Sequence, residues 1–75
     1  MPTSLNLWKQ KLGRVPESVW DQIDLQKLIL AENELIEVSE RIAGLRSLRT
    51  LDLGHNLLTN VPQALGDLEG LSDFL

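Results

Sequence analysis

The sequence predicts an α/β solenoid, with a parallel β-sheet on the concave face and short α or 3₁₀ helical segments on the convex face. Three observations predict it. Seventeen of the 75 residues are leucine, and steps of 23 residues align them in columns of one residue class. Within each 23-residue unit the apolar spacing switches from two, the period of a half-buried strand, to three or four, the period of a helical turn. The register also runs from the first unit to the last without an insertion. A strand, a turn, a short helical return and a new strand 23 residues later make one coil, and each coil buries its leucines against its neighbours.

The elements follow in order. The strand columns are Leu5/Leu28/Leu51/Phe74 and Leu7/Leu30/Leu53; in Leu28-Ile29-Leu30 and Leu51-Asp52-Leu53 the leucines alternate with variable residues. Such strands stack in parallel about 4.8 Å apart. A polar column, Gln10/Asn33/Asn56, marks the turn that follows. Leu12/Leu35/Leu58 and Val15/Val38/Val61 carry the chain round to the convex side. There Pro16 and Pro62, with Ser39 between them, open the helical segments, and Pro62 suits a first helical position. Val19/Ile42/Leu65 and Leu25/Leu48/Leu71 face the core from that side. The first coil is atypical: Gln22 replaces the apolar residue found at Leu45 and Leu68, and Trp20 beside it is expected to cover the convex side.

The stretch Leu48-Arg49-Thr50-Leu51-Asp52-Leu53-Gly54-His55-Asn56-Leu57-Leu58 matches the pattern LxxLxLxxNxL at every fixed position, as does Leu25 through Leu35. In this the chain resembles the leucine-rich repeat family. The continuation Val61-Pro62-Gln63-Ala64-Leu65-Gly66-Asp67-Leu68-Glu69-Gly70-Leu71 resembles its 23-residue intracellular subclass, to which Ras-binding scaffold repeats belong. The resemblance implies one leucine-rich repeat domain over residues 1–75: about three repeats and the start of a fourth, weakly capped or truncated. It also implies that the column asparagine caps the turn from inside the coil. Gln10 departs from this, being one methylene too long to fit without adjustment. Such a motif is specific for fold and only permissive for function.

Composition narrows the function. The chain has 43% hydrophobic and 24% charged residues, the balance of a folded protein. With no cysteine it has no disulfide framework and no thiolate metal site. The net charge of −4 argues against nucleic acid and anionic membranes as partners. It is unevenly spread: residues 1–31 hold four cations against three anions, residues 32–75 three against eight. No apolar run approaches a membrane span, and neither a signal-peptide pattern nor an Asn-x-Ser/Thr acceptor occurs, so a soluble cytoplasmic location is expected.

Two surfaces are candidates. In the family that the sequence resembles, ligands are gripped by the variable residues of the concave sheet. Here those are Ser4, Asn6, Trp8 and Lys9, then Lys27, Ile29, Ala31 and Glu32, then Thr50, Asp52, Gly54 and His55. Of these, Trp8, Lys9, Ile29, Glu32, Asp52 and His55 are the expected protein-binding set. Trp8 stands beside small Ala31 and Gly54 in its column, the composition of an interface hot spot, and Ile29 extends the patch. Lys9 and Glu32 are neighbours across coils and are expected to pair. The acidic run Glu32, Glu34, Glu37 and Glu40 reads as a solvated face. The second surface is the end of the solenoid, where Leu68, Leu71, Phe74 and Leu75 meet no following coil. This predicts a piece of a longer domain or association through the ends, with Phe74 and Leu75 folding back as a cap the third choice.

Catalysis is not expected. His55 is the single histidine and has no ligand-spaced companions; Asp52 and His55, three apart on one strand, point to opposite faces unless the strand has ended. No phosphate loop, nucleophile with a base, or cofactor signature occurs, so neither a cofactor nor a small-molecule substrate is expected. The leading function is therefore a non-catalytic protein-protein interaction module. The alternatives are a self-assembling homo-oligomer joined at its ends, a regulatory or targeting segment of a larger signalling enzyme, and a designed or minimised solenoid.

Overall fold

The computed structural model describes residues 3–75. Four parallel strands, β1 (Ser4–Asn6), β2 (Lys27–Ile29), β3 (Thr50–Asp52) and β4 (Asp73–Phe74), lie side by side in chain order. Leu5 pairs with Leu28, Leu28 with Leu51 and Leu51 with Phe74, the same 23-residue steps that the columns define. Hydrogen bonds carry the ladder past the strands: Leu7 N–H donates to the Ile29 carbonyl at 2.9 Å, Leu30 N–H to Asp52 at 2.8 Å and Leu53 N–H to Leu75 at 2.8 Å.

Three 3₁₀ helices make the opposite side: η1 (Glu17–Asp21), η2 (Glu40–Gly44) and η3 (Gln63–Asp67). The choice of 3₁₀ over α follows from the apolar spacing. Ile42, Leu45 and Leu48 are three apart, as are Leu65, Leu68 and Leu71, and three residues per turn stacks them in one inward stripe. The backbone bonds have the same step, from Ile42 N–H to Ser39, Leu45 to Ile42 and Leu48 to Leu45, all 3.0–3.1 Å. The prolines sit one place earlier than expected. Pro16 and Pro62 are extended caps (ψ 136° and 140°), not first helical residues. Their carbonyls accept the first bonds, from Val19 and Leu65 N–H. Ser39, in the same column, caps η2 through its side chain, which accepts from Arg41 N–H at 3.0 Å.

The middle coil is the most thoroughly buried. Leu25, Leu28, Leu30, Leu35, Ile42, Leu45, Leu48 and Leu51 are sealed from solvent, while Leu5, Leu7, Leu12, Leu58 and Leu71 are partly buried around them. Trp20 is buried on the convex side against Val15, beside Glu37 and Ser39 of the next coil. Its column continues as Ala43 and Gly66, so residue size in that column falls along the stack.

Asn33 and Asn56 fasten one coil to the one before it. Asn33 Nδ2 donates to the Leu7 carbonyl at 2.7 Å and to Leu30 and Ala31 of its own coil. Its Oδ1 accepts from Gln10 N–H (2.7 Å) and Leu12 N–H (3.4 Å). Asn56 repeats the pattern, donating to Leu30 and Leu53 and accepting from Asn33 N–H and Leu35 N–H. Gln10 does not enter the coil: among the described residues its exposed side chain reaches only the Trp8 carbonyl, at 3.4 Å. The extra methylene is accommodated by staying outside.

Candidate functional site

The concave face is built on the strand residues that alternate with the buried leucines. Trp8 follows β1, is 50% exposed and leans towards coil 2, where its indole Nε1–H donates to Glu32 Oε2 at 2.9 Å. The ammonium of Lys9 stands 5.5 Å from the centroid of the same ring, within cation–π range. The expected Lys9–Glu32 ion pair is therefore not formed. Trp8 lies between them in effect, taking the carboxylate at its edge and the cation at its ring. Ala31, next to Trp8 in its column, is buried, and Ile29 is half-buried beside it.

Two polar residues of the face serve the backbone first. Asn6 Oδ1 accepts from Trp8 N–H at 2.9 Å, and Asp52 Oδ1 accepts from Gly54 N–H at 2.9 Å. Each closes a turn just beyond its strand. A Cβ at Gly54 would come within 3.2 Å of that Asp52 oxygen and press on the turn that it closes. His55 lies outside β3, in the left-handed region at φ 53°. The strand has ended before it, and no hydrogen bond joins it to Asp52 among the described residues. Lys9 and Glu32 share its column and its conformation, at φ 57° and 56°. With Lys11 and Glu34 these three residues line an open depression of about 250 Å³. Among the described residues, no three His, Cys, Asp or Glu side chains gather as metal ligands would.

At the other candidate surface the expectation needs correction. Leu68 is only 5% exposed, since its place in the three-residue stripe points it into the core; it does not belong to an end face. Leu71 is half-buried, while Phe74 and Leu75 are exposed. Neither folds back as a cap. Phe74 continues the strand register, and Leu75 N–H donates to the Leu51 carbonyl at 2.9 Å.

Arg41 on η2 reaches back to η1, with Nη1 2.8 Å from Glu17 Oε2 and Nη2 2.8 Å from Asp21 Oδ1. The hydrogen bond to Asp21, then that to Glu17, raises the arginine pKa further above its ordinary value. The sequence signal was slight: Arg41 is offset by 24 and 20 residues from its partners, straddling the repeat step of 23.

The profile of the leucine rich repeat family matches residues 3–58 and again residues 23–74. Fibromodulin of rabbit, Oryctolagus cuniculus, is 40% identical over 62 residues, covering 81% of this chain and 42% of that protein. The volume-regulated anion channel subunit LRRC8E of Xenopus tropicalis is 35% identical over 71 residues, covering 92% of this chain and 9% of that one. A solved leucine-rich repeat protein of Leptospira interrogans superimposes with a TM-score of 0.80 at 27% identity, over 93% of this chain and 24% of its own. The chain spans less than half the length of these curated relatives.

Proposed function

Because this chain belongs to the leucine-rich repeat family, we propose that it binds a protein partner on the concave face of its sheet, with Trp8 as the anchor. Protein interaction is what this fold supports in general; the face and the anchor are the finer reading. The observation that carries it is the state of Trp8. The residue is half exposed, yet its ring edge is tied to Glu32 and the Lys9 ammonium stands over it. An aromatic side chain held in this way has little rotamer freedom left to lose on binding, which is the property of an effective hot spot. Ile29 extends the apolar contact, while Lys9, Glu32, Asp52 and His55 supply polar contacts at its rim.

The site is small. Four strands at about 4.8 Å span roughly 15 Å, and a standard interface takes about 800 Å² from each partner. Micromolar or weaker affinity is expected for this surface alone. The reading is of a binding module and not of an enzyme. The test is retention of a protein from solution on the immobilised chain, compared with the Trp8→Ala/Ile29→Ala double variant. Capture should fall about tenfold or more in the variant. Equal capture by both would remove the concave face as the site.

A second reading, self-association through Leu71, Phe74 and Leu75, is supported by the exposure of Phe74 (50%) and Leu75 (68%). In that case Phe74→Asp would lower the molar mass seen by light scattering, while Trp8→Ala would leave it unchanged.

A further inference from the structure

The flank by which the chain leaves the sheet carries a charge pattern confined to two coils. Coil 1 presents Lys9, Lys11 and Arg14; one repeat on, coil 2 presents Glu32, Glu34 and Glu37 in the same columns. In coil 3 those columns hold His55, Leu57 and Asn60. The backbones of coils 1 and 2 stay side by side along this flank, with Lys9 N–H bonded to the Ala31 carbonyl and Gly13 N–H to Asn33. A row of three cations thus lies one coil spacing from a row of three anions. No ion pair joins the two rows among the described residues, where the ion pairs are those of Arg41 with Glu17 and Asp21 on the convex side.

We propose that this flank is a docking surface for a second copy of this chain, related by a twofold axis running along the flank between the two rows. The two rows are complementary to themselves under that operation and no other. The axis exchanges coil 1 with coil 2, so Lys9 faces the partner's Glu32, Lys11 the partner's Glu34 and Arg14 the partner's Glu37, each pair occurring twice. Apolar shape follows the same register. Ile36 of coil 2 is 66% exposed, and its column neighbour in coil 1 is Gly13, where a Cβ would meet nothing within 4 Å. The axis sets each Ile36 over the partner's Gly13. A displacement by one coil brings a charged row against the neutral coil 3 and loses the match, so the pairing has a single register. Molecular dimensions of 26 × 25 × 21 Å limit the contact to roughly 500 Å² per copy, less than a standard interface. The dimer is therefore weak, and screening by salt weakens it further.

Sedimentation equilibrium tests this, with variants that leave Lys9, Glu32 and hence the Trp8 clamp untouched. The intact chain should dimerise at about 20 mM salt, and its dissociation constant should rise about tenfold or more by about 500 mM. Lys11→Glu/Arg14→Glu should be monomeric, and so should Glu34→Lys/Glu37→Lys. An equimolar mixture of the two should recover a heterodimer, and the chain with all four changes should recover the homodimer. Circular dichroism of each variant establishes that it is folded, and the four-fold variant keeps the original net charge. A wild type that stays monomeric at low salt overturns the proposal. So does a dimer indifferent to both reversals, or a mixture no more associated than its components; dissociation by Phe74→Asp alone would move the contact to the end of the sheet.

Discussion

At the scale of single residues, the asparagine column separates what a coil needs from what a motif records. Asn33 is fully buried and satisfies backbone groups in two coils at once. Asn33→Ala would strand the Leu7 carbonyl and Gln10 N–H, and we expect a loss of about 3 kcal/mol in urea unfolding. Asn56→Ala, at a half-buried site, should cost about 2 kcal/mol. Gln10→Asn should change stability by less than about 0.5 kcal/mol, because the present side chain makes one long bond at the surface. A loss at Gln10→Asn as large as that at Asn33→Ala would contradict this account. The sequence pattern showed which position mattered. It did not show that the amide reaches back to the preceding coil, which is a property of stacked turns. Nor did it show the pairing of Trp8 with Glu32: the columns set Lys9 beside Glu32, but the choice between an ammonium and an indole N–H is made by side-chain rotamers.

At the scale of elements, the helical returns were nearly legible and the spacing of three decided their kind. Gln22 stands half-buried where Leu45 and Leu68 are buried. Gln22→Leu should therefore stabilise the chain by about 1 kcal/mol, whereas Leu45→Ala should destabilise it by about 3 kcal/mol. Calorimetric midpoints moving in the same direction for both would show that these two positions of the one column are not equivalent. The link between η1 and η2 through Arg41 gives a prediction about pH. Its pKa is raised, so whatever it contributes is fully present below the ordinary arginine value and is lost only above the raised one. The difference in urea midpoint between wild type and Arg41→Met should therefore stay constant from about pH 7 to about pH 10. A difference that shrinks over that window would show another group to be in control. The left-handed conformations at Lys9, Lys11, Glu32, Glu34 and His55 had no sign in the sequence, since none of those residues is glycine.

At the scale of the whole molecule, stability is unevenly distributed along the stack. Each coil packs only on its neighbours, and the middle one has neighbours on both sides. Hydrogen exchange should be slowest at amides such as Leu30 and Leu48 and faster around Leu7, Leu58 and Leu71, where burial is partial. Uniform protection would mean that the coils open together. The order and register of the sheet were readable in advance, because columns 23 apart leave one way to stack. The concave candidates were readable as positions, from alternation with the strand leucines. Which of them are free to meet a partner was not, because Asn6 and Asp52 are drawn into closing turns by the local backbone.

The direction of the asparagine bonds gives the chain a temporal order. Asn33 completes the turn of coil 1, and Asn56 completes that of coil 2, through the amides of Asn33 and Leu35. On a ribosome, each turn would wait for the synthesis of another 23 residues before its amides found their acceptor. Folding of the nascent protein would then trail its elongation by one repeat.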